Sequence, residues 1–247
     1  LWHAPHYNAP VIKNSKLVVT IHDLIHWIFR GKFYSNLQGF YAKFFIQNAI
    51  RNADRIIAVS QRTRDDLIEN FQAPMEKIQV IYEGVSPHHF NPPEENQRKE
   101  VLRKYGLPQE FYLYVGLIKP HKNVQRLIEV YQELRRKGRL ETNLLLVGKK
   151  DNRYPAGFER LKSLKTGEGI YYLPGIDSQD ELHCLYYSAK GLVHPSLYEG
   201  FGLTILEAMA SGIPVLVSRS ASLPEVAGDA VYFVDAESSE ELAQALL

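Results

Sequence analysis

The stretch LVHPSLYEGFGLTILEAMASGIPVLVS, Leu192 to Ser218, decides how this chain folds. An apolar run ends near His194, and the loop that follows, PSLYEGFG, carries Gly200 and Gly202 close together. A helical pattern then starts near Gly202 and ends at Ser211-Gly212, with Pro214 beyond it, as glycine and proline end helices. The next apolar run is Val215–Ser218. Strand, glycine loop, helix and strand make one unit of an open α/β sheet, whose ligands lie at the carboxyl ends of the strands.

Gly200 and Gly202 let the backbone approach a ligand closely, and the amides at a helix N-terminus donate to phosphate oxygens. A diphosphate fits there without a metal ion. Glu199 precedes that anion site directly, where a carboxylate is unfavourable unless hydroxyl or ammonium donors engage it; sugar hydroxyls would supply them. Glu207 lies about five residues into the helix, offset by about 7 Å at roughly 1.5 Å per residue, within reach of a ribose diol. On its own Glu207 also fits a solvated helix position. The helix is otherwise Leu203, Ile205, Leu206, Ala208, Met209 and Ala210, apolar on nearly every side, which predicts burial and hence a partner for the carboxylate.

Outward from this unit, short apolar runs alternate with helical patterns, the mark of a parallel sheet covered by helices on both faces. Strands are expected at Leu17–Ile21, Arg55–Val59, Ile78–Ile81, Tyr112–Val115, Asn143–Val147, Ile170–Leu173, Gly191–His194, Val215–Ser218 and Ala230–Phe233. Helices are expected at Asn36–Asn52, Gln61–Phe71, Val124–Lys137, Ser178–Ser188 and Leu203–Ser211, and SSEELAQALL at the end also reads as helix. The polar stretch Gly84–Lys99, with Pro87, Pro92 and Pro93, reads as a linker between domains at 1–90 and 91–247. Before it there is room for about three strands, too few for a doubly wound sheet, so the first domain is expected to be incomplete and the chain to be part of a longer protein.

The 247 residues, 45% hydrophobic, can build ordinary cores, and a formal net charge of +1 gives no field to hold a nucleic-acid backbone. Cys184 stands alone, so no internal disulfide forms, no zinc-type cluster is visible, and a reducing compartment fits best. No apolar run reaches the roughly 18–20 residues of a membrane span. Neither the dinucleotide fingerprint nor a P-loop is present; the nearest fragment, Gly167-Glu168-Gly169, precedes a strand and lacks a third glycine.

Two further elements point at the same edge. GLIKPHK, Gly116 to Lys122, follows one strand and precedes the helix at Val124. Helix starts favour anions over cations, so a lysine there is useful if it points at a bound phosphate; Lys119 and His121 read equally as exposed turn residues. In the first domain His22 and Asp23 end the strand Leu17–Ile21. Asp23 fits a turn or helix cap, and His22 reads either as a structural histidine or as a hydrogen-bond donor to a sugar hydroxyl.

With these residues the chain resembles a retaining glycosyltransferase of the GT-B fold, family four, also called glycosyl transferase group 1. The resemblance is carried by TIHD at Thr20–Asp23, NADRIIAVS at Asn52–Ser60, VIYEGV at Val80–Val85, YVG and HKN within Tyr114–Asn123, LLLVG at Leu144–Gly148, LPG at Leu173–Gly175 and PSLYEGFGLTILEAMASGIPV at Pro195–Val215. It implies an α/β chain of two Rossmann-like domains facing each other across a cleft, an acceptor-side domain followed by a donor-binding one. Glu199 is similar to the glutamate that contacts the donor sugar and Glu207 to the one that holds the ribose. Gly200, Phe201, Gly202 and Leu203 resemble the loop that binds the diphosphate, with Gly116 in the facing loop. Lys122 resembles the lysine that neutralises the diphosphate. His22 resembles the histidine beside the transferring sugar, and Pro174 and Gly175 mark where such enzymes hold the base.

The implied activity is metal-independent hexosyl transfer from a nucleoside diphosphate sugar, with GDP-mannose favoured by the wording around YVGLIKPHKN, to a glycan or lipid-linked acceptor. No cofactor beyond the nucleotide-sugar substrate and no nucleic-acid partner is expected. The protein is expected in the cytoplasm, with peripheral attachment to the inner face of the cytoplasmic membrane left open. The sequence departs from the family pattern at Leu117 and His121, where arginine is common, and at Glu83-Gly84-Val85-Ser86, which usually reads Asn-Gly-Val-Asp. Rival readings on the same fold are an NDP-sugar epimerase, a sugar phosphorylase and a non-catalytic nucleotide-sugar-binding protein; nothing in the sequence signals the pyridoxal lysine or second phosphate site of a phosphorylase.

Overall fold

The structure is a computed structural model that describes residues 1–9, 15–151, 161 and 168–247. Gly167 of the Gly167-Glu168-Gly169 fragment lies outside them. Residue contacts divide the chain into two compact units: Leu1–Gly84 with Tyr198–Gly202 and Ala221–Val226, and Val85–Leu197 with Leu203–Ser220 and Ala227–Leu247.

The first unit holds β1 (Trp2–Ala4), β2 (Leu17–Ile21), β3 (Arg55–Ala58) and β4 (Ile78–Val80), all parallel and in that spatial order. Its helices are α1 (Ile25–Ile28), α2 (Asn36–Asn52) and α3 (Gln61–Phe71). Strand β2 is LVVTI because both its faces are covered, and Leu17, Val19 and Ile21 join Ile46, Ala49, Ile56, Ala58 and Leu67 in one core. Asp54 fixes the β2–β3 register from the loop before β3: its carboxylate accepts from the Leu17 amide at 2.9 Å and its own amide donates to the Leu17 carbonyl at 2.9 Å. Helix α2 starts at a capping box, Ser35 with Gln38, and α3 at Ser60, whose hydroxyl accepts from the Thr63 amide at 3.0 Å.

In chain order β5 (Phe111–Val115), β6 (Asn143–Val147), β7 (Ile170–Leu173), β8 (Gly191–His194), β9 (Val215–Ser218) and β10 (Tyr232–Val234) form the second sheet. Its spatial order is β10-β9-β8-β5-β6-β7, all parallel. That is the Rossmann order, with the reversal between β5 and β8. The remaining helices are α4 (Glu95–Lys104), α5 (Val124–Arg136), α6 (Gln179–Ser188), α7 (Leu203–Ala210), α8 (Leu223–Ala227) and α9 (Ser239–Ala245). Helix α5 buries Val124, Leu127, Ile128, Tyr131 and Leu134, spaced as one face of a helix requires, against Leu144 and Leu146 of β6.

The α/β class and parallel sheets agree with the reading of the sequence, with differences in detail. The first sheet has a fourth strand, β1, which the apolar pattern does not reveal. The polar stretch read as a linker contains a 3-10 turn, Pro87–Phe90, and the start of α4. Pro92 and Pro93 precede this helix, and the Glu94 amide donates to the Gln97 side chain at 3.2 Å across its first turn. Because α4 buries little besides Val101 and Leu102, its sequence is as polar as a loop.

One backbone approach sets the edge of the second sheet. Gly148, just after β6, has φ +156°, and a β-carbon there would lie 1.8 Å from the carbonyl oxygen of Gly116, just after β5. Neither atom belongs to a flexible side chain, so Gly148→Ala should destabilise the fold by about 3 kcal/mol. Urea unfolding would measure it, and an unchanged midpoint would show that the two loops can separate at no cost.

Candidate functional site

In doubly wound sheets ligands bind where the strand order reverses, because the loops leaving the two central strands diverge and open a crevice at their carboxyl ends. Here the central strands are β5 and β8, paired through Tyr112↔Gly191 and Leu113↔Leu192. The loop after β5 runs from Gly116 through a 3-10 turn, Pro120–Lys122, to Asn123 in a left-handed conformation with φ 59°. The Asn123 side-chain carboxamide donates to the carbonyls of Pro195 at 3.1 Å and Ala236 at 2.7 Å. The Leu197 amide donates to the His121 carbonyl at 2.8 Å. Lys122, half-buried, is therefore held beside the root of the loop that leads to Glu199. His121 is buried, which corrects its reading as an exposed turn residue: its backbone closes the pair of loops and its ring turns inward.

Pro174 and Gly175 follow β7 on the same carboxyl edge, reached through β6, where the Gly148 amide donates to the Leu173 carbonyl at 2.9 Å. Gly116, Lys122, Pro174 and Gly175 thus share one edge of the second unit. Helix α7 begins at this edge with Leu203 and carries Glu207. The Tyr186 hydroxyl donates to Glu207 at 2.7 Å, and the other carboxylate oxygen lies 4.0 Å from Nε2 of His89. Burial and the neighbouring Glu207 carboxylate push the Tyr186 phenol well above its ordinary range, so it stays a donor. The helix is less buried than its composition predicts: Ile205 and Ala208 are buried, while the Glu207 side chain is 25% exposed. One stripe packs on β8, β9 and the Pro87–Phe90 turn, and the rest stays open.

Tyr198–Gly202 cluster with the first unit. The hydrogen bonds that fix this loop use its carbonyls: Ser222 donates to those of Glu199 at 2.9 Å and Phe201 at 2.8 Å, and Ser60 donates to that of Gly200 at 2.7 Å. Thr63 supports the Gly200 carbonyl at 3.3 Å. A β-carbon on Gly200 would lie 1.9 Å from the His22 carbonyl oxygen, so glycine is required by close approach. Glu199 is buried, Phe201 packs against Tyr82 with ring centroids 5.9 Å apart, and the Tyr198 hydroxyl donates to Asp66 at 2.5 Å. The structure therefore brings His22 to the loop of Glu199, Gly200, Phe201 and Gly202. Ser222, Ser60, Tyr186 and Asn123, which hold these elements, were not legible as positioning residues; only the HKN triplet gave a signal.

Both ring nitrogens of His22 are engaged. Nδ1 is 2.8 Å from the Glu83 carboxylate and Nε2 is 3.0 Å from the Pro5 carbonyl. Donation to a sugar hydroxyl would need one of these bonds to open. The bond to Glu83 raises the His22 pKa, partial burial opposes it, and Pro5 and Asp23 add to the rise. His6 interacts electrostatically with His22, and its own pKa is lowered, by burial first and by His22 in part. Glu83→Gln keeps the oxygen but removes the charge, so the His22 imidazole, followed by NMR across pH, should titrate lower; an unaltered titration would exclude Glu83 as the cause. A raised folded pKa adds stability that is present below the unfolded value of about 6.5 and lost as pH rises through the folded value. E83Q should accordingly lose stability in mild acid and converge with the parent chain in alkali.

Among the described residues, no group of three or more His, Cys, Asp or Glu side chains could hold a metal ion. None of the described helices is long and apolar enough to cross a membrane.

A six-stranded parallel sheet in Rossmann order and a second, four-stranded parallel sheet are the two parts of a GT-B class protein. Residues 95–247 match the model of the glycosyl transferases group 1 family, and residues 1–89 match that of glycosyltransferase family 4. The chain belongs to the glycosyl transferases group 1 family. It is 33% identical over 242 residues to O-antigen chain mannosyltransferase B of Escherichia coli, covering 95% of this chain and 61% of that protein. To O-antigen chain mannosyltransferase RfbU of Salmonella typhimurium it is 28% identical, over 98% of this chain and 62% of the relative. Among solved structures, Anabaena Alr3699/HepE in complex with UDP and glucose superposes with a TM-score of 0.75 at 21% identity, over 94% of this chain and 61% of that one. WaaG, a glycosyltransferase involved in lipopolysaccharide biosynthesis, gives a TM-score of 0.74 at 22% identity, over 93% and 64%. The chain thus spans about three-fifths of the length of these two mannosyltransferases.

Proposed function

We propose that the protein transfers a hexose, with retention at the anomeric carbon, from a nucleoside diphosphate sugar to a glycan or lipid-linked acceptor. The observation that carries this reading is the meeting of the β5 and β8 loops at the point where the strand order reverses, tied by Asn123 and by the Leu197–His121 bond, with Lys122 and the start of α7 at one edge. Helix amides and an ammonium group are what a leaving diphosphate needs as its charge develops, and no metal ion is required for that role. The glycosidic C1–O bond to the diphosphate breaks, the acceptor oxygen bonds to C1 on the same face, and the acceptor proton passes to the departing phosphate. Glu207, steadied by Tyr186, takes the ribose; Glu199 takes the sugar; Pro174 and Gly175 flank the base. The family resemblance also assigns donor binding to His22, Gly200, Phe201 and Gly202 of the first unit and to Gly116 and Leu203 of the second. The names of the relatives support mannose as the sugar moved, with GDP-mannose as the donor we infer, and an O-antigen type polysaccharide as acceptor, and such work suits a cytoplasmic protein acting at the inner face of the membrane.

Calorimetry with GDP, UDP and ADP tests the donor site directly. One of them should bind, and Lys122→Ala should weaken that binding about tenfold or more, the scale of a charge-assisted contact to phosphate. If none binds, the donor-site assignment fails.

A further inference from the structure

The loop after β7 is short and is held at both ends. The Leu173 carbonyl ahead of it accepts from the Gly148 amide at 2.9 Å, and Ser178 behind it caps α6, its hydroxyl accepting from the Glu181 amide at 3.2 Å. Pro174, Gly175, Ile176 and Asp177 span the gap between these anchors. Among the described residues, the sole atom within 4 Å of a β-carbon placed on Gly175 is Cε of Lys149, at 3.8 Å. Packing at Gly175 is thus sparse, and the course of the span is set from its ends.

The end of α4 grips the far end of this span. The Lys104 ammonium donates to the Asp177 carboxylate at 2.8 Å and to one Glu181 oxygen at 2.6 Å. The Tyr105 hydroxyl donates to the other Glu181 oxygen at 2.8 Å and accepts from the Asp177 amide at 3.3 Å. Two adjacent residues therefore converge on the point where loop becomes helix. The helix ends suit these charges: the last turn of α4 favours a cation, and the first turn of α6 favours Glu181. Lys104 holds the carboxyls of Asp177 and Glu181 below their ordinary range, and they in turn raise Lys104, Asp177 first, so all three are charged in neutral solution. Helix α4 is itself fastened to the second unit by buried Val101 and Leu102, and by Arg98, which donates to the Tyr187 carbonyl at 3.2 Å. Lys104 is half-exposed, and one such ion pair alone contributes little. A second acid and a bond to the Asp177 backbone make this arrangement specific in direction, and a loop ordered before binding loses less freedom when a ligand arrives.

We propose that Lys104 and Tyr105 are positioning residues for base recognition: touching no ligand themselves, they hold Pro174 to Asp177 in the geometry that reads the base of the donor nucleotide. This rests on the reading of Pro174 and Gly175 as the residues that flank the base. Hydrogen exchange and calorimetry on Lys104→Met, Tyr105→Phe and Lys104→Arg test it. In Lys104→Met the Gly175, Ile176 and Asp177 amides should exchange about tenfold faster, while amides of β5 and β6 keep the parent rate. Of GDP, UDP and ADP, the parent chain should bind one best, and Lys104→Met should lose about tenfold on that nucleotide and less on the other two, so the preference narrows. Tyr105→Phe should act in the same direction, and Lys104→Arg, which still pairs with both acids, should behave as the parent. Equal weakening of all three nucleotides, an unchanged preference, unchanged exchange of the loop amides, or a parent that binds the three alike would overturn the inference and leave the donor site standing. A parent that binds none of them would remove the donor site and this inference with it.

Discussion

Two hydrogen bonds from one side chain organise the carboxyl edge of the second sheet. The Asn123 carboxamide donates to Pro195, after β8, and to Ala236, after β10, while its own backbone takes a left-handed turn into α5. Each such bond contributes roughly 0.5–1.5 kcal/mol net, little beside the cost of ordering three loops independently. The geometric effect is larger than the energetic one. With the Leu197–His121 bond, the loops after β5, β8 and β10 are fixed as a set, and Lys122 is placed as a consequence of that set rather than by contacts of its own loop alone.

The Glu199 loop is held by the same kind of chemistry. Ser222, Ser60 and Thr63 hold three successive carbonyls, and Glu225 accepts from the Gln61 and Arg62 amides at 2.9 and 3.0 Å, where the amino end of α3 favours a carboxylate. Ser222 has a single proton to share between the Glu199 and Phe201 carbonyls, so the two compete for one donor and the hydroxyl tracks both. Neutral hydroxyl and amide groups thus carry most of the positioning of this loop.

Much of this architecture is legible in the chain because buried parallel strands are apolar throughout. Leu17–Ile21, Asn143–Val147, Ile170–Leu173, Gly191–His194 and Val215–Ser218 are found where that pattern places them. Strand β1 is not legible because its three residues, Trp2-His3-Ala4, bury only Ala4, and α4 is not because its exposed surface looks like a linker. For the site, the spacing of Glu199 and Glu207 and the glycines between them are visible locally. Their supports are not: Ser222 reaches back 23 residues to Glu199, Tyr186 is 21 residues from Glu207, and Ser60 is 140 from Gly200. No local pattern encodes contacts of that range. His22 was legible by position, but its engagement on both sides by Glu83 and Pro5 was not.

Glu207 illustrates how a half-exposed acid can still be preorganised. A solvated glutamate on a helix would sample several rotamers and lose that freedom on binding a ligand, at a cost of about 1 kcal/mol or more. Here one carboxylate oxygen is committed to the Tyr186 hydroxyl, and burial raises that phenol well above its ordinary range, so it stays a donor. A carboxylate offers roughly four acceptor directions, and one strong donor leaves most of them available. Ile205 and Ala208, both fully buried, form the stripe of α7 that lies on β8 and β9, while Leu203 in the first turn stays exposed. The apolar composition of the helix, which predicted a buried acid, therefore serves a different end. It packs one stripe tightly enough to fix the helix and leaves the carboxylate at the boundary, where a ligand hydroxyl can reach it.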